Sequence, residues 1–99
     1  LLCDGLWDPF EDWSMGDAAE FIAEEYEVTR EAMDHFAFES HRKALAAIDS
    51  GKFKDEIIPV EVKDRKGRIS TVNVDEPPRR DTSLEALARL KPAFRQDGR

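Results

Sequence analysis

The sequence is poor in the residues that build the commonest reactive centres. It has one cysteine and two histidines. Cys3 on its own excludes an internal disulfide and fits a reducing, cytoplasmic setting. Asp4 follows it and no cationic neighbour is at hand to activate it, so it is not expected to serve as a nucleophile. His35 and His41 stand six residues apart and project to well-separated sides of one helix, unlike the i, i+4 pair of a zinc helix. They read as surface or satisfied histidines, and no metal site is expected. There is no glycine-rich phosphate loop. No apolar run approaches the ~20 residues that a membrane helix needs. The start, LLCDGLWDPF, has no basic region and turns acidic at Asp4, so it is not a signal peptide.

Positive charge is also scarce. Fifteen Lys and Arg stand against 22 Asp and Glu, for a net charge of −7. That balance argues against nucleic acid as a general partner. The distribution is uneven: residues 1–50 carry 13 acids and 3 bases (−10), and residues 51–99 carry 9 acids and 12 bases (+3). The second half can meet an anion where the first cannot, although a solvated surface with a mild dipole is the plainer reading. With 40% hydrophobic and 37% charged residues, the 99-residue chain is globular in composition and one small domain at most. It begins at Leu1 rather than Met and stops after Asp97-Gly98-Arg99 without a closing pattern, which suggests an excised piece.

Residues 1–16 are loop-like and aromatic, with Leu6, Trp7, Pro9, Phe10, Trp13 and Met15 broken by Gly5 and Gly16. Such a loop usually lines a site or docks on a neighbour. A first helix is predicted from an Asp17 cap, with Glu20 three residues on and an apolar face of Phe21, Ile22 and Tyr26. Glu24, Glu25 and Glu27 read as a solvated face rather than a catalytic carboxylate pair. A longer helix runs from a Thr29 cap to Asp49, stopped by Gly51. Its stripe of Met33, Phe36, Ala37, Ser40, Ala44, Ala47 and Ile48 is meant for burial, and Phe38 and Leu45 widen it. A chain this short barely supplies the layers such a helix needs, so part of this surface is expected to belong against other polypeptide.

The period then changes. EIIPVEVKDRKGRISTVNVDE reads as two strands about a turn at Arg65-Lys66-Gly67, with Ile58, Val60 and Val62 facing Val72 and Val74. Pro59 keeps the first strand to an edge or a bulge. Pro77-Pro78 ends the second and stiffens the approach to Arg79-Arg80. Thr82-Ser83-Leu84-Glu85 is a capping box for a short helix over Leu84, Leu87, Ala88 and Leu90, closed by Pro92. Arg79, Arg80, Arg89, Lys91, Arg95 and Arg99 crowd this region. Guanidinium groups near a helix N-terminus suit a phosphate, and an arginine can stack on an adenine ring. Paired arginines before a helix are as readily structural.

Taken in order and spacing, DGLWDPF, MGDAAEFIAEEYEVTREAMDHFAFESHRKALAAIDSGKFKDEIIPV and DEPPRRDTSLEALARLKPAFRQDG resemble the loop domain of thiolases, the acetyl-CoA acetyltransferases and 3-ketoacyl-CoA thiolases. The most specific stretches are Met15-Gly16 with Ala19-Glu20, TREAMDHFAFESHRKA, FKDEIIPV and LARLKPAFRQDG. The resemblance covers nearly the whole chain. It implies an α+β, helix-rich loop (lid) domain with a small β-hairpin, incomplete without the core thiolase domains. Within it, 1–16 would be a substrate-lining loop, 17–50 two helices, 56–75 the hairpin, and 76–99 an arginine-containing segment with a short helix. The implied chemistry is reversible Claisen condensation and thiolysis on coenzyme A or acyl-CoA as substrate, with no covalently bound cofactor. By position, Leu6 and Met15 resemble residues lining the acyl and pantetheine pocket. Arg79 matches the arginine near the adenine and phosphate end of coenzyme A, and Leu84 and Phe94 resemble apolar walls of the same cleft.

The catalytic cysteines and histidine of the family lie before residue 1 and after residue 99, so this chain alone is expected to be inactive. Its implied partners are the remainder of a thiolase chain and acyl-CoA, with neither nucleic acid nor membrane. The parent is expected to be a homodimer or homotetramer, and the isolated chain to self-associate. Three positions depart from the family pattern. Ser14 stands where biosynthetic members often have a histidine, Ala86 where a coenzyme-contacting serine is common, and Arg99 where a threonine or serine is usual. The competing reading is a stand-alone acidic protein-interaction module without catalysis, built on the aromatic loop and the apolar helix.

Overall fold

The computed structural model describes residues 1–98. Arg99, counted above among the basic residues and as a departure from the family, lies outside the described residues. The element order is α1 (Leu2–Gly5), β1 (Trp7–Asp8), β2 (Trp13–Ser14), α2 (Met15–Glu25), α3 (Arg30–Asp49), β3 (Val60–Lys63), β4 (Ile69–Val72) and α4 (Leu84–Ala88). This is a small α+β chain with few, short strands. Among the described residues, no helix is long and apolar enough to cross a membrane.

The chain forms two compact units where one small domain was expected. The first is Leu1–Ala37 with the segment from Ser83 onward, and the second is Phe38–Thr82. Buried apolar material is too sparse for a single core. Among the described residues the buried hydrophobic is Ala23, 6% exposed, joined by Ser14 and Glu20. The surface exposed is 8751 Å². A self-contained protein of 11.3 kDa would expose roughly 5,700 Å².

In the first unit, residues 1–16 are more ordered than a loop. α1 is a single turn, and β1 and β2 pair antiparallel with Trp7 opposite Ser14 and Asp8 opposite Trp13. Asp8 Oδ1 accepts from the Phe10 and Glu11 N–H groups at 2.8 and 3.3 Å, and Asp12 takes φ 56° to close the turn. Strands of two residues are too short to show a period of two.

α2 starts three residues earlier than the Asp17 cap would place it. Ser14 is extended, and its Oγ accepts from the Asp17 N–H at 3.1 Å while donating to Asp17 Oδ2 at 2.7 Å. Asp17 is therefore the third helical residue answering a serine cap, and its charge suits the helix start. The buried side of α2 is also not the one expected. Phe21, Ile22 and Tyr26 are exposed, and Glu20 and Ala23 are buried. Trp13 lies beside Phe21 with ring centroids 5.4 Å apart.

α2 ends with the Val28 N–H on Ala23 C=O at 2.8 Å and the Glu27 N–H on Glu24 C=O at 3.2 Å, a Schellman closure with Glu27 at φ 52°. Thr29 Oγ1 accepts from the Ala32 N–H at 3.2 Å at the head of α3. Arg30 is held by Asp34 Oδ1 at 2.9 Å, and its Nη2 donates to the C=O groups of Leu87 and Leu90 at 2.7 and 2.9 Å. A guanidinium thus satisfies carbonyls at the end of α4, where cations are favoured. The cap of α4 is Ser83, whose Oγ accepts from the Ala86 N–H at 3.1 Å. The expected Thr82–Glu85 box is displaced by one residue, because Ser83 is the residue with extended backbone.

In the second unit, α3 closes through the Lys52 N–H on Ala47 C=O at 3.0 Å and the Gly51 N–H on Ile48 C=O at 2.9 Å. Gly51 has φ 72°, which glycine adopts without a Cβ penalty. No residue of α3 is buried, and Phe36, in the part of α3 that belongs to the first unit, is 77% exposed. β3 and β4 pair antiparallel with Val60 opposite Val72 and Lys63 opposite Ile69, leaving Val74 beyond the ladder. Asp64 organises the turn between them. Its Oδ1 accepts from the Lys66 and Arg68 N–H groups at 2.8 and 2.9 Å, and its Oδ2 from Arg68 Nε at 2.8 Å.

The Arg68 N–H and then the Arg68 guanidinium hold the Asp64 carboxyl below the usual aspartate range. A pKa depressed in the folded state gives stability that is present above about pH 4 and is lost as pH falls through the folded value. The turn amides of Lys66 and Arg68 should therefore exchange faster as pH falls below about 4, after correction for intrinsic rates. Asp64→Asn should remove that pH dependence in the same exchange measurement.

Candidate functional site

The chain reversal in residues 7–14 returns the backbone to its own start. The Met15 N–H donates to Leu6 C=O at 2.9 Å, so these two residues are neighbours at the head of α2. The next residue, Gly16, receives Phe94 from the far end of the chain. A Cβ at Gly16 would overlap the Phe94 ring, so the ring lies directly on the helix backbone. Phe94 also lines a cleft of about 140 Å³ with Ala19, Ala23 and Met33. The segment carrying it is tied down about one and two turns further along α2. Arg95 Nη1 donates to Glu24 Oε2 at 3.3 Å, and Gly98 lies against the Glu20 carboxylate.

Leu6, Met15 and Phe94 thus lie near the head of α2 within one unit, each about half exposed, although Leu6 and Met15 do not line the Phe94 cleft. Leu84 belongs to the same unit, at the head of α4 and also partly exposed, but it does not line the Phe94 cleft. Arg79 belongs to the second unit. The five residues singled out from sequence are therefore not gathered in one unit.

Arg79 is positioned by its backbone. Its N–H donates to His41 Nδ1 at 3.0 Å. His41 thus accepts a backbone hydrogen bond, and Pro77-Pro78 is not the only constraint on the arginine. The guanidinium is paired with a carboxylate, Nε to Asp81 Oδ1 at 3.1 Å and Nη2 to Asp81 Oδ2 at 3.0 Å. Arg80 is paired as well, with Asp49 at 3.0 and 2.6 Å. Both carboxyls are held below the usual aspartate range by these guanidinium bonds. The two arginines share a cleft of about 150 Å³ with Phe38, His41, Arg42 and Leu45. The cleft thus sets guanidinium groups beside an aromatic and an aliphatic side chain.

Sequence reasoning missed two features. One is the role of Gly16, whose missing side chain seats Phe94; the signal was present in Met15-Gly16 but named no partner. The other is a larger cleft of about 440 Å³ in the second unit, lined by Ile48, Phe53, Ile57, Pro59 and Val74 among others. Phe53, Ile57 and Pro59 belong to FKDEIIPV, a stretch whose period reads only as the start of a strand. Cys3 is exposed, and among the described residues no three His, Cys, Asp or Glu side chains are grouped to hold a metal.

A family model described as thiolase, N-terminal domain, matches residues 1–99. An acetyl-CoA acetyltransferase of Pseudomonas aeruginosa is 56% identical over 98 residues, covering 99% of this chain and 25% of the relative. One from Allochromatium vinosum is 48% identical over 98 residues, covering 99% of this chain and 25% of that relative. The chain therefore spans about a quarter of the length of the curated relatives it matches. Among solved structures, a Bacillus anthracis acetyl-CoA acetyltransferase superposes with a TM-score of 0.87 at 48% identity, covering 94% of this chain and 23% of that one. A human mitochondrial 3-ketoacyl-CoA thiolase gives 0.84 at 41% identity, with 94% and 23% covered. With the family model matching residues 1–99 and the backbone of solved relatives matching 94% of the chain, the chain belongs to the thiolase family, in the region its N-terminal domain model describes.

Proposed function

We propose that this chain is the coenzyme A-binding loop domain of a thiolase, an acyltransferase that carries out reversible Claisen condensation and thiolysis. The observation that carries the reading is Phe94 seated on Gly16, beside the backbone pair of Leu6 and Met15. Half-exposed apolar residues placed near one another from both ends of a chain suit an apolar ligand arm. In this reading Leu6, Met15 and Phe94 line the acyl and pantetheine side, and Leu84 extends the apolar wall. Arg79 meets the phosphate and adenine end. Coenzyme A or acyl-CoA is the substrate rather than a resident cofactor, and no residue of this chain is assigned a catalytic role. The nucleophile and the proton-transferring groups belong to the remainder of the thiolase chain, in a dimer or tetramer, so residues 1–99 alone would be inactive. A stand-alone interaction module is disfavoured by 56% identity to an acetyl-CoA acetyltransferase over almost the full chain.

The test is Arg79→Ala in the full-length enzyme. A hydrogen bond to a charged group contributes about 1.5–3 kcal/mol. Arg79 is mostly exposed and already paired, which puts its effect at the lower end. The KM for coenzyme A should rise about tenfold with kcat little changed, the signature of lost uniform binding. An unchanged KM removes Arg79 from the site.

A further inference from the structure

We propose that Asp81 is a built-in competitor for Arg79, a carboxylate that an incoming phosphate ester must displace and that thereby sets the affinity of the site. This rests on the reading of Arg79 given above. Asp81 engages the Nε–Nη2 edge of the guanidinium at 3.1 and 3.0 Å. That two-point, side-on geometry is the one a phosphate would use. Both anions require the same pair of donors, and a carboxylate left in place would repel the phosphate at close range. One must leave for the other to bind.

The structure also indicates which can leave. The two side chains are 69% and 73% exposed, so the pair is weakly held against water. Asp81 lies two residues from Arg79 in a segment whose backbone is fixed independently, through the Arg79 N–H on His41 Nδ1. The carboxylate can therefore swing into solvent without unseating the arginine. Asp49, the partner of Arg80, differs in this respect, since it is carried by the last residue of α3. Asp81 also orients the empty guanidinium, but an exposed pair contributes little rigidity, and competition should dominate.

The measurement is the dissociation constant for coenzyme A, by titration calorimetry, in the full-length enzyme and in Asp81→Asn, Arg79→Ala and the double variant. Asp81→Asn should tighten binding about two- to fivefold, the range an exposed ion pair spans. The gain should be absent in the Arg79→Ala background and should shrink in high salt. Unchanged or weaker binding by Asp81→Asn overturns the proposal, as does an equal gain without Arg79, which would mark a general field effect. If Arg79→Ala alone leaves the affinity unchanged, the reading of Arg79 fails and this inference with it. A loss on Arg79→Ala without a gain on Asp81→Asn sinks only the inference.

Discussion

Replacing Gly16 by alanine should destabilise the full-length enzyme by about 1–2 kcal/mol, and the sign should reverse once Phe94 is also alanine. Two effects oppose each other at this position. Gly16 is in the first turn of α2, and no left-handed backbone angle is found there. Alanine would therefore favour the helix by up to about 1 kcal/mol. Against this, the new methyl would occupy space already filled by the Phe94 ring. Overpacking costs about 1–3 kcal/mol. A phenyl ring is rigid, so it cannot fold away as a lysine tip could; it must swing off the helix as a unit. Denaturant melts of the wild type, the two single variants and the double variant give the coupling directly. An additive result would mean that Phe94 does not rest on Gly16. The functional consequence follows from the same displacement: Gly16→Ala should raise the KM for acyl-CoA if Phe94 is part of the wall, and leave it unchanged if the contact is only structural.

The same contact explains why α2 was harder to read than α3. Pattern reading assigns the buried side of a helix to its largest apolar residues, here Phe21, Ile22 and Tyr26. The side that is covered instead carries Gly16, Glu20 and Ala23, because what covers it is Phe94 and the segment up to Gly98. A small-residue face becomes legible only when its partner is known, and the partner lies at the other end of the chain. The caps went astray for a local reason. Ser14 and Asp17, like Thr82 and Ser83, are all good capping residues, and the choice is made by backbone angles that composition does not encode. α3 and the hairpin were legible because a long period and an alternating run each persist over enough residues to outweigh such choices. At the candidate site, the partner of Arg79 was within reach of the sequence, two residues away at Asp81. The Asp49 partner of Arg80 was not, since it depends on where α3 ends relative to the segment after the hairpin, within the second unit.

Residues 1–99 produced alone should show no cooperative melt, should bind an apolar dye strongly, and should self-associate. The basis is surface. The exposed area of 8751 Å² exceeds the roughly 5,700 Å² of a self-contained protein of this mass by roughly 3,000 Å². A standard protein interface covers only ~800 Å² per partner, so no ordinary binary contact accounts for the excess. Its composition matters as much as its size. Phe36 at 77%, Ile58 at 82% and Phe94 at 57% exposure are side chains that a finished domain would cover. Each unit has local closures, caps and a paired ribbon or hairpin, but with so little buried apolar surface neither has the core that makes unfolding all-or-none. Secondary structure without fixed packing is the expected state, visible as far-ultraviolet circular dichroism that persists while the near-ultraviolet signal of Trp7 and Trp13 is weak. The decisive arm is complementation. Adding the rest of a thiolase chain as a separate polypeptide should suppress dye binding and restore a cooperative transition, because only that polypeptide carries a surface matched to this one. A monodisperse monomer with a sharp melt and no dye binding would instead mean that the exposed apolar side chains are tolerated without a cover. The stand-alone module would then return as the better account of the chain, and the thiolase resemblance would speak only to its ancestry.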